Sequence, residues 1–123
     1  MALKIKIGKT IEHTVKFSMK DGGKDVTHAM TLIISRPDQA ALVALADEIK
    51  SGGINDDDIL RDYLIDWKNQ RLVVDEDDKP AAFSQEALEL ACTVAGVRNV
   101  LVGGIIKALV SNVRLEDDAR TKN

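Results

Sequence analysis

Between Ile11 and Ile34 the chain alternates apolar and polar residues on either side of one turn, and this pattern constrains the fold more than any other feature. Ile11, His13, Val15, Phe17 and Met19 share one parity, while Glu12, Thr14, Lys16, Ser18 and Lys20 share the other. A period of two is that of a β-strand, whose successive side chains point to opposite faces. Asp21-Gly22-Gly23-Lys24 supplies the turn, with two glycines free to take positive φ. Val26, His28, Met30, Leu32 and Ile34 then alternate again. With Gly22-Gly23 as a two-residue loop, Phe17 faces His28, Val15 faces Met30 and Ile11 faces Ile34. A slip of one residue would turn one apolar set away from the other, so the register is strongly specified. Leu3, Ile5 and Ile7 repeat the alternation and predict a short third strand.

At Ser35-Arg36-Pro37-Asp38 the period changes. Ser35 or Arg36 precedes a proline suited to the first helical position, and Asp38 suits a helix N-terminus. Leu42, Leu45, Ala46 and Ile49 follow at helical spacing, and Ser51-Gly52-Gly53 ends the segment. Asn55 is placed to cap a second helix with Asp56, Asp57 and Asp58 in its first turn and Leu60, Tyr63, Leu64 and Trp67 as its apolar stripe. The three aspartates point in different directions at helical spacing and complement the helix dipole, so they are not read as metal ligands. A short apolar piece, Leu72-Val73-Val74, precedes the acidic turn Asp75-Glu76-Asp77-Asp78, which lacks the glycine and distal Glu of a calcium loop. Ser84 caps a third helix, with Ala87, Leu90, Ala91 and Val94 along one side. A break at Ala95-Gly96 leads to a last helix from about Val97 to Val113, and Leu115 to Asn123 reads as a frayed polar tail.

That last helix carries two apolar stripes. Val97, Leu101, Ile105 and Leu109 form one; Val102, Ile106, Val110 and Val113 form its neighbour. Together they exceed the ~100° arc that a surface helix buries. Such a helix is either central to the core or apolar on a face kept for another chain. We expect Val102, Ile106, Val110 and Val113 to make partner or self-association contacts, and Trp67 and Phe83 to lock the Val73-Val74 link onto the helices. Gly103-Gly104, in its middle, implies a bend or the close approach of another backbone.

The expected architecture is a single α+β domain over residues 1–123. An N-terminal antiparallel hairpin or small sheet (1–35) precedes about four helices (36–114). Seventeen Lys and Arg against 20 Asp and Glu give a net charge of −3, and the basic residues of the first third are scattered along strands. Nucleic-acid binding normally needs a concentrated basic face, so no nucleic-acid partner is expected. The charge-free run Asn99 to Ile106, like the longest one, Val26 to Ser35, is far below the roughly 18 residues of a membrane span, and the N-terminus lacks a secretory pattern. With a single cysteine, Cys92, the chain reads as a soluble protein of a reducing compartment.

No enzymatic constellation is legible. In the hairpin register His13 faces Leu32, about 13 Å along the strands from His28 at ~3.3 Å per residue, too far to share a metal. Cys92 sits among apolar neighbours and reads as a packed thiol. No glycine pair is followed by the Lys-Ser/Thr of a phosphate loop. We expect no catalysis, metal or cofactor.

One ordered set of segments is distinctive. Asp66-Trp67-Lys68 is followed by Val73-Val74-Asp75-Glu76-Asp77-Asp78-Lys79-Pro80, by Phe83-Ser84-Gln85-Glu86-Ala87-Leu88, by Ala95-Gly96-Val97-Arg98, and by the ending Ala119-Arg120-Thr121-Lys122-Asn123. The set resembles the tail assembly chaperones of long-tailed bacteriophages, and with the β-rich opening the likeness covers most of the chain. It departs from the usual pattern at Asn69-Gln70-Arg71, where a Gly is common, and at Ala95, where a Pro often precedes the Gly. The resemblance implies a non-enzymatic factor, acting as an oligomer in the host cytoplasm and absent from the mature virion. It would bind the tape-measure protein and help recruit tail-tube subunits. It also implies that this chain is the short form of a protein made longer by ribosomal frameshifting. The competing expectation is a virion structural subunit of the tail tube or head–tail connector.

Overall fold

A computed structural model describes residues 2–115, so the expected frayed tail beyond Leu115 lies outside the described residues. Two twelve-residue strands, β1 (Thr10–Asp21) and β2 (Lys24–Ser35), form the hairpin, and their pairing is the expected one: Ile11 with Ile34, Val15 with Met30, Phe17 with His28, and Asp21 with Lys24 around the two-residue loop. Gly22 alone takes the left-handed conformation, with φ 65°, so the turn needs one glycine rather than two. Four helices follow, α1 (Gln39–Ser51), α2 (Asp56–Tyr63), α3 (Gln85–Cys92) and α4 (Val97–Ser111), with a third strand β3 (Leu64–Lys68) between α2 and α3. The sheet is antiparallel in the order β1-β2-β3, and the arrangement is α+β.

The third strand is not where the alternation of Leu3, Ile5 and Ile7 puts it. Those residues have no strand partner and are exposed. The strand comes instead from the end of the expected second helix, which stops at Tyr63. Leu64 and Trp67 are buried on β3, where Trp67 pairs with Leu32 and Leu64 with Ile34. Leu60, Tyr63, Leu64 and Trp67 fit a helical stripe, but pairing with β2 gives Leu64 and Trp67 the same burial while satisfying that strand's open hydrogen-bonding edge.

One sheet face is polar and faces solvent. Thr14 and Thr31 hydroxyls meet at 3.0 Å, Ser18 and Thr27 at 3.1 Å, and Lys68 bonds Glu12 at 3.1 Å. The other face packs on α4, whose Val97, Leu101, Val102, Gly104, Ile105, Ala108 and Leu109 are buried. Gly104 makes this possible. A Cβ there would overlap Val15 Cγ1 and reach 3.6 Å from Leu32 Cδ1, whereas Gly103 faces open space. Of the glycine pair, Gly104 alone thus marks a close approach between helix and sheet, and it is made to the Val15 side chain of the same chain rather than to another backbone.

Caps set the helix limits. Asp38, not Ser35 or Arg36, caps α1, accepting a bond from the Ala41 amide at 2.8 Å, so Pro37 precedes the helix rather than opening it. Gly52, at φ 77°, ends α1 as expected. Asn55 and Asp58 form a reciprocal capping box on α2, which gives one carboxylate of the acidic triplet a structural role. Ser84 caps α3, whose buried face is Ala87, Leu88 and Ala91; Leu90 and Val94 are exposed. The chain turns 115° between α3 and α4, through Gly96 at φ 92°. No single helix among the described residues is long and apolar enough to cross a membrane.

The link from Lys68 to Ala81 is organised by a residue that sequence patterning passes over. Gln70 is buried, and its amide uses all four bonding positions: Nε2 donates to Val73 O at 2.9 Å and Ala81 O at 3.1 Å, while Oε1 accepts from the Leu72 and Val73 amides, each at 2.9 Å. Trp67 Nε1 also donates to Ala81 O, at 3.1 Å, and its ring meets Phe83 edge to face with centroids 5.2 Å apart. Asn69 holds φ 61°, a conformation that asparagine tolerates better than most residues. In the acidic turn, Asp75 accepts bonds from the Asp77 and Lys79 amides at 2.8 and 3.0 Å. Its carboxylate is spent on the turn itself.

Candidate interaction surface

The apolar surface in excess belongs to α1 as much as to α4. Of the apolar residues on α1 only Leu45 is buried; Leu42 is half-buried, and Ala40, Ala41, Val43, Ala44, Ala46 and Ile49 are exposed. An alanine-rich segment closed by Asp38 and Gly52 is a good helix former without much packing, so α1 can be stable while anchored along a thin seam.

Alongside it lies the end of α4. The four residues expected to face a partner separate here. Val102 is buried within the chain, because α4 is covered by the sheet on one side and by α2 and α3 on others. It is not available to a second protein. Ile106 is half-buried, and Val110 and Val113 are exposed, Val113 lying just past the helix end. Ile106 and Val110 join Leu42, Leu45, Ala46, Ile49 and Leu109 to line a groove of about 210 Å³ between α1 and α4. At the start of α1 it continues into a cleft of about 440 Å³, whose walls include Ile7, Arg36, Pro37, Leu42, Val110 and Val113. The α1 wall escapes a reading of the sequence because its Leu42, Leu45, Ala46, Ile49 stripe looks like ordinary core; its alanines, too small to claim a deep core site, are the available signal.

Arg36 fixes the mouth of this groove. Its backbone amide donates to Lys9 O at 2.8 Å, its Nε to Gly8 O at 3.1 Å, and its Nη1 to Asn112 Oδ1 at 2.7 Å. Asn112 in turn donates to Leu109 O at 2.7 Å at the end of α4. The root of the N-terminal segment is thereby tied to the helix end.

A second, larger cleft of about 610 Å³ lies among α2, α3 and the start of α4, lined by Asp57, Arg61, Glu89, Cys92 and Arg98 among others. Its cations have acidic partners. Arg98 Nε lies 3.5 Å from Asp57, and Arg61 bonds Asp62 and Asp58 at 3.1 and 3.0 Å, bonds that raise the Arg61 pKa further above its already high ordinary value. Cys92 is half-buried there without a histidine neighbour: His28 stacks on Phe17 at 5.6 Å, and His13 pairs with Leu32. Among the described residues no three His, Cys, Asp or Glu side chains gather to hold a metal. The groove between α1 and the end of α4 is the apolar one of these concavities, walled by aliphatic side chains.

Compared with models of known protein families, with curated proteins and with solved structures, the chain matches none.

Proposed function

We propose that the chain is a non-catalytic tail assembly chaperone of a long-tailed phage or prophage. It acts as an oligomer in the host cytoplasm, holds amphipathic helical segments of the tape-measure protein, helps recruit tail-tube subunits, and leaves before the virion is complete. One observation supports this most: the open aliphatic groove between α1 and the end of α4, with Leu42, Ile49, Ile106 and Val110 on its walls. Two helices with a groove between them offer an amphipathic helix a third place, read by residues at helical spacing. The family resemblance supplies the identity of the client.

The proposal expects a long helical reading frame downstream in the source genome, and the test is co-expression of its product with this chain. The chain should keep that product soluble and copurify with it, and Ile49→Asp with Val110→Asp should abolish copurification while circular dichroism stays native. Undiminished copurification by the variant would remove the groove from the proposal.

The second reading, a tube or connector subunit, draws support from the hairpin. Among the described residues β3 pairs only with Thr31 to Ile34 of β2 and no other strand joins the sheet, which leaves both edges of the distal half of the ribbon open for strand addition. Mass spectrometry of purified particles separates the two: a structural subunit is present in many copies, a chaperone hardly at all.

A further inference from the structure

The N-terminal arm, residues 2–9, carries three alternating aliphatics that its own chain leaves in water. Ile7 is 60% exposed, Ile5 79% and Leu3 94%, so exposure rises steadily away from the Arg36 anchor. Ile7 touches the mouth of the α1–α4 groove, and beyond it the arm leaves its own body. An exposed apolar arm and an open apolar groove on the same molecule are two liabilities with one common solution.

We propose that the arm of one copy lies in the α1–α4 groove of a second copy. Length fits. From Leu3 to Ile7 the arm spans about 13 Å at ~3.3 Å per residue. Along α1 the groove runs from Asp38 to Ile49, about 16 Å at 1.5 Å per residue. Charge fits as well. Lys4, Lys6 and Lys9 make the arm +3 with no acidic residue, so with a whole-chain charge of −3 the remainder stands at −6. Each arm is therefore drawn toward the body of a neighbour while bodies repel one another. One arm and one groove per copy allow the exchange to close as a pair or a ring. The inference concerns the client-free chain and does not depend on a tape-measure client: the arm occupies the groove that such a segment would take, so the two would compete for it.

Ile5→Cys and Ile49→Cys, made separately on a full-length Cys92→Ser background and mixed at equal concentration under mild oxidation, read the contact directly. A mixed disulfide dimer joining the Ile5→Cys chain to the Ile49→Cys chain is expected. It should form at least tenfold faster than the dimer of the Ile5→Cys chain with the hairpin control Thr27→Cys. Equal rates would overturn the proposal. So would a chain carrying both Ile5→Cys and Ile49→Cys that closes only on itself, since the arm would then serve its own groove. In sedimentation, Leu3→Asp with Ile5→Asp is expected to weaken self-association at least tenfold with circular dichroism unchanged. Both positions are exposed, so folding is not at stake, and unaltered association would also overturn it.

Discussion

Adding one methyl group at either of two adjacent glycines should shift stability in opposite directions. Alanine is favoured over glycine in a helix interior by about 1 kcal/mol. At Gly103, which faces open space, Gly103→Ala should realise most of that gain. At Gly104 the same methyl overlaps Val15 Cγ1, and Val15 is itself buried between helix and sheet. Overpacking typically costs about 1–3 kcal/mol, so Gly104→Ala should be net destabilising by about 1 kcal/mol, and about 2 kcal/mol less stable than Gly103→Ala. For a chain of this size that separates the two melting midpoints by roughly 8 °C. Val15→Ala closes the cycle. Alone it removes two buried methyl groups and should cost about 2 kcal/mol. On the Gly104→Ala background the new methyl enters the vacated space, and the cost should fall by at least about 1 kcal/mol, a coupling readable by urea denaturation of the four proteins. If Gly104→Ala matches Gly103→Ala, or if Val15→Ala costs the same on both backgrounds, α4 does not sit on the sheet at this point.

Three further outcomes follow from the same contacts. Gln70→Glu should destabilise by about 3 kcal/mol or more at pH 7, because a carboxylate replaces an amide that donates to Val73 O and Ala81 O; urea denaturation at pH 4, where the new acid can protonate, should recover part of the loss. Val102→Asp should unfold the chain, and Val110→Asp should shift stability by no more than about 0.5 kcal/mol, a contrast that circular dichroism and thermal melting will show if only Val102 is interior. Burial, with Asp62 and Glu48 adding to it, raises the Tyr63 phenol above its ordinary value. The unfolded chain then ionises first, so this contribution to stability is complete below pH ~10 and is lost as pH rises through the folded value. Tyr63→Phe should lose less stability than the parent between pH 9 and 11 in parallel urea titrations.

The hairpin was legible residue by residue because two constraints coincide there. The parity of the apolar positions and the two-residue turn each fix the register, and both give Phe17 opposite His28. Helix starts with a side-chain acceptor at Asn55 and Ser84 were legible for a similar reason, since an orphan amide near the N-terminus has few possible partners. The second helix ends before its apolar stripe does because Leu64 and Trp67, three residues apart, fit a helical spacing and not a strand's period of two; both are buried on β3 only through the register shift opposite Ile33 and Ile34. Only the open edge of β2, which no local pattern contains, decides between helix and strand. Gln70 was invisible for the opposite reason: a buried glutamine has no periodic signature, and its four partners come from a loop whose course it helps to set.

The interaction surface shows where counting apolar residues fails. α4 has the denser apolar pattern, yet it is the helix that sheet, α2 and α3 all need, so its excess is consumed internally. α1 has a milder stripe, but it enters the fold at the edge, held by Leu45 and partly by Leu42, and so more of its apolar surface stays in water. Exposure is therefore fixed by how many neighbours an element has in the topology and only secondarily by how apolar it is. Since α1 gives up little on moving, a ligand in the groove can reposition it at small cost, whereas moving α4 would break the core around Leu101 and Ile105. Amide hydrogen exchange follows from this directly: α1 should exchange by local opening, well ahead of α4, and should slow selectively when the groove is filled. Equal protection of the two helices would mean that α1 is part of the cooperative core, and a groove with such a wall could not adapt its width to what fills it.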